Sequence, residues 1–132
     1  MEHLHQLDAG QTKVLDIIAC EKWSSHKLAV SQGEKYRIWC DDKQQWKDSF
    51  IKSSPDGFFN ILAFIAGQRV KGVKCFCLCG AYNKDISTGF AIGSSKEFDV
   101  TISGELSFFP NDTSWAYGNN KGSIKINVLR IQ

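Results

Sequence analysis

Histidine is scarce in this chain, long apolar runs are missing, and neither sign of charge dominates. The 16 Lys+Arg nearly cancel the 14 Asp+Glu, and no block of like charges could serve as a basic arm. A nucleic acid is therefore not the expected partner. The longest apolar run, Ile61 to Ala66, falls far short of the roughly twenty residues that cross a bilayer, so membrane insertion is not expected either. Residues Met1 to Gln11 are polar, include Glu2 and Asp8, and lack the apolar segment and small-residue cleavage site of a secretory leader. A soluble cytoplasmic protein is expected, with release by an unconventional route left open. His3 and His5 lie in that terminus and His26 in an early loop, none beside a nucleophile-bearing turn. Asp41 and Asp42 are adjacent, which does not set two carboxylates across a glycosidic bond. A protein that is not an enzyme is the expectation. Neither an internal repeat nor a low-complexity stretch is present.

What is there reads as β structure. The 132 residues suit one domain with a real core, here a single domain over 1–132 with residues 1–11 as a flexible N-terminal extension. Apolar residues recur with the strand period, punctuated by Gly, Ser, Asn and Asp. Strands are expected over Thr12–Cys20, Lys27–Val30, Glu34–Cys40, Val73–Tyr82, Phe90–Ile92, Phe98–Ile102, Glu105–Phe109 and Ser123–Ile131, with a tight turn at Ser31-Gln32-Gly33. Eight or nine strands at this spacing suit a β-sandwich or jelly roll. Asp41 to Pro55 is polar apart from Trp46, Phe50 and Ile51 and reads as a long exposed loop, whereas 58–66 fits either a short helix or a buried strand. The last strand is the clearest, Ile124, Ile126 and Val128 alternating with Lys125 and Asn127 as in a half-buried strand.

The five cysteines are an odd count. Cys75, Cys77 and Cys79 alternate, which on a strand places them on one face. Residues two apart on a strand do not meet disulfide geometry, and no second Cys or His cluster completes a zinc set. Reduced cysteines packed as small hydrophobes are expected, Cys20 and Cys40 included.

The stretch with most chemistry is Asn111-Asp112-Thr113-Ser114-Trp115-Ala116-Tyr117-Gly118-Asn119-Asn120. Calcium takes six to eight oxygens, and Asp112 can offer both carboxylate oxygens while Asn119 and Asn120 each turn in an amide oxygen. An ordinary polar turn has the same composition. The position of the loop between two strands, Glu105–Phe109 and Ser123–Ile131, favours the metal, because paired strands would hold its ends rigid.

The segment SGELSFFPNDTSWAYGNNKGSIKINV resembles the C-terminal end of the PA-IL-like galactophilic lectins, with Tyr117-Gly118-Asn119-Asn120 and Gly122-Ser123 the specific part. Trp23, the Gly33 turn, Trp46, Pro55-Asp56-Gly57, Cys79-Gly80 and Phe90 to Gly93 follow in similar order. The resemblance implies a jelly-roll β-sandwich, a homo-oligomer, and a calcium ion that bridges protein and sugar. It implies as calcium ligands Asp112, Asn119, Asn120, the main-chain carbonyl of Ala116, and a carbonyl at Ser49 or a neighbour. The family's sugar loop carries a His beside the Pro and a Gln after the Asp, but this chain reads Ser53-Ser54-Pro55-Asp56-Gly57. Both contacts are missing, which leaves Asp56 and Pro55, and the rings of Trp46 and Trp115, as the sugar-contacting residues. The tryptophans fit the edge of the core equally well.

The expected function is calcium-dependent carbohydrate binding, with sugar hydroxyls completing the calcium shell. The alternative is a structural or protein-interaction sandwich whose loop binds calcium only to stiffen itself, or binds nothing.

Overall fold

Period-two patterning and frequent turn residues produce a chain whose regular structure, among the described residues, is mainly strand. The computed structural model describes residues 3–61, 65 and 67–132. The strands are β1 (His5–Gln6), β2 (Thr12–Ile18), β3 (Leu28–Val30), β4 (Lys35–Trp39), β5 (Trp46–Asp48), β6 (Ile51–Ser53), β7 (Leu78–Tyr82), β8 (Phe90–Ala91), β9 (Ser95–Asp99), β10 (Gly104–Pro110), β11 (Asn120–Lys121) and β12 (Ser123–Arg130). They form a four-stranded sheet in the order β2-β12-β4-β9, a five-stranded sheet in the order β1-β3-β10-β7-β8, and a small sheet β11-β5-β6.

The two larger sheets pack face to face as a sandwich. Leu15, Ile17, Tyr36, Ile38, Ile124, Ile126 and Val128 from the first share one core with Leu28, Val30, Leu78, Tyr82, Leu106 and Phe108 from the second. Register explains why β12 is so legible: Ile124 pairs with Ile17 and Ile126 with Leu15, so two alternating strands bury matching positions. Each aliphatic side chain buried this way contributes about 1.5–3 kcal/mol. β7 and β10 are buried on their outer face too, where Cys79, Ala81 and Phe109 pack with Val70 under Trp23 and Val73. Arg69 closes that cluster, its guanidinium 4.2 Å over Trp23 and 4.3 Å over Phe109.

Several expectations are corrected. The tight turn at Ser31-Gln32-Gly33 is present, Glu34 N donating to Ser31 O at 3.0 Å, but the strands it joins do not pair: β3 pairs with β1 and β10, β4 with β12 and β9, so the turn carries the chain from one sheet to the other. Likewise β10 and β12, which flank the candidate loop, lie in different sheets and do not pair. The alternation of Cys75, Cys77 and Cys79 fails because Phe76 has φ +61, and the strand begins only at Leu78. Cys75 consequently packs in the main core and Cys79 in the outer cluster. Cys20 is exposed, and all five cysteines are free. The supposed long loop over 41–55 contains the β5–β6 hairpin. The 58–66 segment falls partly outside the described residues, and its Phe59, Ile61 and Ile65 are exposed.

The N-terminal segment is held from His5 onward. β1 pairs with β3 in parallel, Leu7 is buried, and the Leu7 carbonyl accepts from Arg130 Nη1 at 2.7 Å. The largely polar composition of 1–11 conceals this one apolar anchor.

Pro55-Asp56-Gly57 forms a turn whose Pro55 carbonyl accepts from Leu78 N at 2.8 Å. Gly57 has φ +80, and a Cβ there would meet Cys75 O at 2.5 Å and Cys77 N at 2.6 Å. Both obstacles are backbone, so Gly57→Ala is expected to cost about 2 kcal/mol or more, measured by urea unfolding.

Candidate functional site

The Asn111 side chain, fully buried, clamps the end of β10. Its Oδ1 accepts from Val70 N at 2.9 Å, and its Nδ2 donates to Val70 O at 2.9 Å and Val73 O at 3.1 Å. The Asp112 carbonyl then accepts from Arg69 N at 3.0 Å. These bonds, rather than a strand pair, fix where Asp112 points. Tyr117 anchors the far side of the loop, donating to Pro110 O at 2.6 Å and accepting from Arg69 Nη1 at 2.8 Å.

Asp112 is 3% exposed and Asn120 5%. Asp112 Oδ1 accepts from Thr113 N at 2.8 Å, but Oδ2, buried, has no partner. Asn120 Nδ2 donates to Ala19 O at 3.0 Å, which orients the amide, and its Oδ1 is also buried without a partner. Leaving one buried acceptor unpaired costs about 1–3 kcal/mol. Two such acceptors on one loop suit a hard cation.

A third oxygen-bearing side chain completes the arrangement. Ligand atoms of Asp48, Cys75 and Asp112 lie within 4.8 Å of one another. Burial raises the Asp112 pKa, opposed first by the Thr113 N–H. Burial and then the charge of Asp112 raise that of Asp48. The Cys75 thiol is pushed up to about 12 by burial, then by Asp112 and Asp48. The remaining donors are all oxygens, which fits calcium better than zinc or copper.

The other expected ligands lie on the same loop and on the β5–β6 turn. Asn119 is exposed, and its carbonyl accepts from Ser49 N at 3.0 Å, tying the β5–β6 turn to the 3-10 turn Tyr117–Asn119. Ser49 adopts φ +57. Ala116, half-buried, donates from N to Thr113 O at 3.0 Å.

Of the expected sugar contacts, only Trp115 presents a free ring, at 78% exposure. Trp46 is 0% exposed, lies edge-on to Phe76 at 5.8 Å, and donates from Nε1 to Phe76 O at 3.2 Å. It is a core residue and cannot face a sugar. Pro55 is buried. Asp56 is exposed, but its Oδ1 accepts from Ser94 N at 2.7 Å, and it is not part of the Asp48–Cys75–Asp112 cluster. Two residues escaped sequence reasoning. Asp48 lay inside the supposed loop, and Phe50, 85% exposed, follows it by one turn residue; a three-residue strand such as Trp46–Asp48 carries too little alternation to give a signal.

No protein-family model and no curated protein matches the chain. Among solved structures it is similar to one described as "EclA N-terminal domain; PllA-like lectin", at 18% identity and a TM-score of 0.65, over 89% of this chain and 94% of that one. At that identity the likeness is one of fold: the chain shares the β-sandwich of that lectin domain.

Proposed function

We propose that this protein is a calcium-dependent carbohydrate-binding module. The observation that carries the reading is the pair of buried, unpartnered oxygens, Asp112 Oδ2 and Asn120 Oδ1, which a hard cation would satisfy together. Asp112, Asn119 and Asn120 would hold the ion through side-chain oxygens, and Ala116 and Ser49 through carbonyls. Calcium accepts six to eight oxygens, so adjacent sugar hydroxyls would fill the solvent-facing positions. The lectin fold of the solved neighbour supports the same reading. Exposed rings at Trp115 and Phe50, each next in sequence to an expected carbonyl ligand, suit the apolar face of a pyranose. The glycan is galactose-like or another sugar: Ser54 stands beside Pro55 where the family has a His, Gly57 follows Asp56 where it has a Gln, and Asp56 Oδ1 accepts from Ser94 N.

A glycan panel probed in calcium and in chelator tests this. Binding is expected only in calcium and is lost in Asp112→Ala. A calcium-induced rise in Tm with no glycan bound would reassign the loop to a purely structural role, and no calcium effect at all would end the metal reading. Trp115→Ala is expected to weaken glycan binding about fivefold to tenfold with calcium affinity unchanged, read by isothermal titration of each ligand.

A further inference from the structure

We propose that Asp48 is a second carboxylate ligand of the ion, which gives this site two anionic ligands where the resemblance implies one. The inference rests on the calcium reading above and adds a residue to it. Its basis is register: in the β5–β11 pair, Asp48 and Asn120 are direct cross-strand partners, so their side chains leave the same face with Cβ atoms roughly 4.5–5.5 Å apart. Asn120 carries its unpartnered, buried Oδ1 on that face, and Asp112 Oδ2 is likewise buried without a partner. The Asp48 carboxylate reaches within 4.8 Å of that of Asp112. Lys47, between Trp46 and Asp48, points the other way and is exposed.

Two carboxylates at this separation repel unless a cation lies between them. Arg69 does not take that place, since its Nη1 donates to Lys22 O and Tyr117 Oη and its guanidinium lies over Trp23 and Phe109. A divalent ion would be neutralised by Asp48 and Asp112 together, whereas one aspartate would leave a net positive charge. Because carboxylate count sets calcium affinity, the second one makes this a tighter site than a single-aspartate shell. It also favours trivalent ions of similar size.

Calcium titration calorimetry and terbium luminescence on the full chain, comparing wild type with Asp48→Asn, Asp48→Ala and the neighbouring control Lys47→Ala, test the assignment. Both Asp48 variants are expected to weaken calcium tenfold or more. Asp48→Ala is expected to add about one water to the bound terbium, counted from luminescence decay in H2O and D2O. A purely long-range charge effect would weaken binding without changing that water count. Wild-type calcium binding that survives in both variants, or an unchanged water count in Asp48→Ala, overturns the role of Asp48 alone. Wild type that binds no calcium overturns the calcium reading together with it.

Discussion

Asp112→Asn is expected to abolish the calcium-induced rise in Tm while leaving the chelated protein at least as stable as wild type. The opposite signs follow from one atom. Without an ion, Asp112 Oδ2 is buried with no donor, and burial raises the pKa of the group; an amide there keeps the acceptor for Thr113 N and removes the charge. With calcium at about 100 times its Kd, binding to the folded state alone adds about 2.7 kcal/mol, roughly 8–12 °C for a domain of this size, and the variant forfeits it.

The pH dependence carries the same signature. A carboxyl whose folded pKa is raised binds its proton more tightly in the native than in the unfolded state. In chelator, stability is therefore greatest in acid, below the unfolded pKa, and falls as pH rises through the raised folded value. In calcium the trend reverses, because the ion requires the deprotonated groups. Asp112→Asn should flatten both slopes in thermal melts between acid and neutral pH.

Trp46→Ala is expected to cost about 3–5 kcal/mol, a large share of the 5–15 kcal/mol typical of a whole domain. The side chain is fully buried at the start of β5, and its removal leaves a cavity beside Phe76 and frees the Phe76 carbonyl that Nε1 now engages. That carbonyl belongs to a residue in the left-handed region, so its anchor also holds a strained turn. Trp46→Phe should lose less stability and keep glycan binding. A selective loss of sugar affinity in Trp46→Phe, with unfolding by urea unchanged, would return Trp46 to the sugar site.

The contrast between Trp46 and Asp112 shows what the sequence could reveal. Residue type and spacing were enough to single out Asp112 and Asn120 as candidates, because few side chains offer calcium oxygens on short stems, and the fold buries an unpartnered oxygen on each. They were enough too for β12, whose alternation is matched by β2 across the ladder. Asp48 was hidden for a different reason: it meets Asn120 only through the register of two very short strands, and strands of two or three residues carry too little alternation to read. The same limit turned 41–55 into a loop. The cysteine run misled because a single left-handed residue, Phe76, reverses which face follows, and backbone sign is not written in alternation. Arg69 and Asn111 position the site through contacts distant in sequence, and only the fold exposes them.

The most direct test is a crystal structure of the protein grown in millimolar calcium with a glycan drawn from the panel. An ion at roughly 2.3–2.6 Å from Asp112 Oδ2 and Asn120 Oδ1, with sugar hydroxyls in its outward positions, is the predicted result. Ordered water hydrogen-bonded to those two oxygens, with no ion between them, would contradict it.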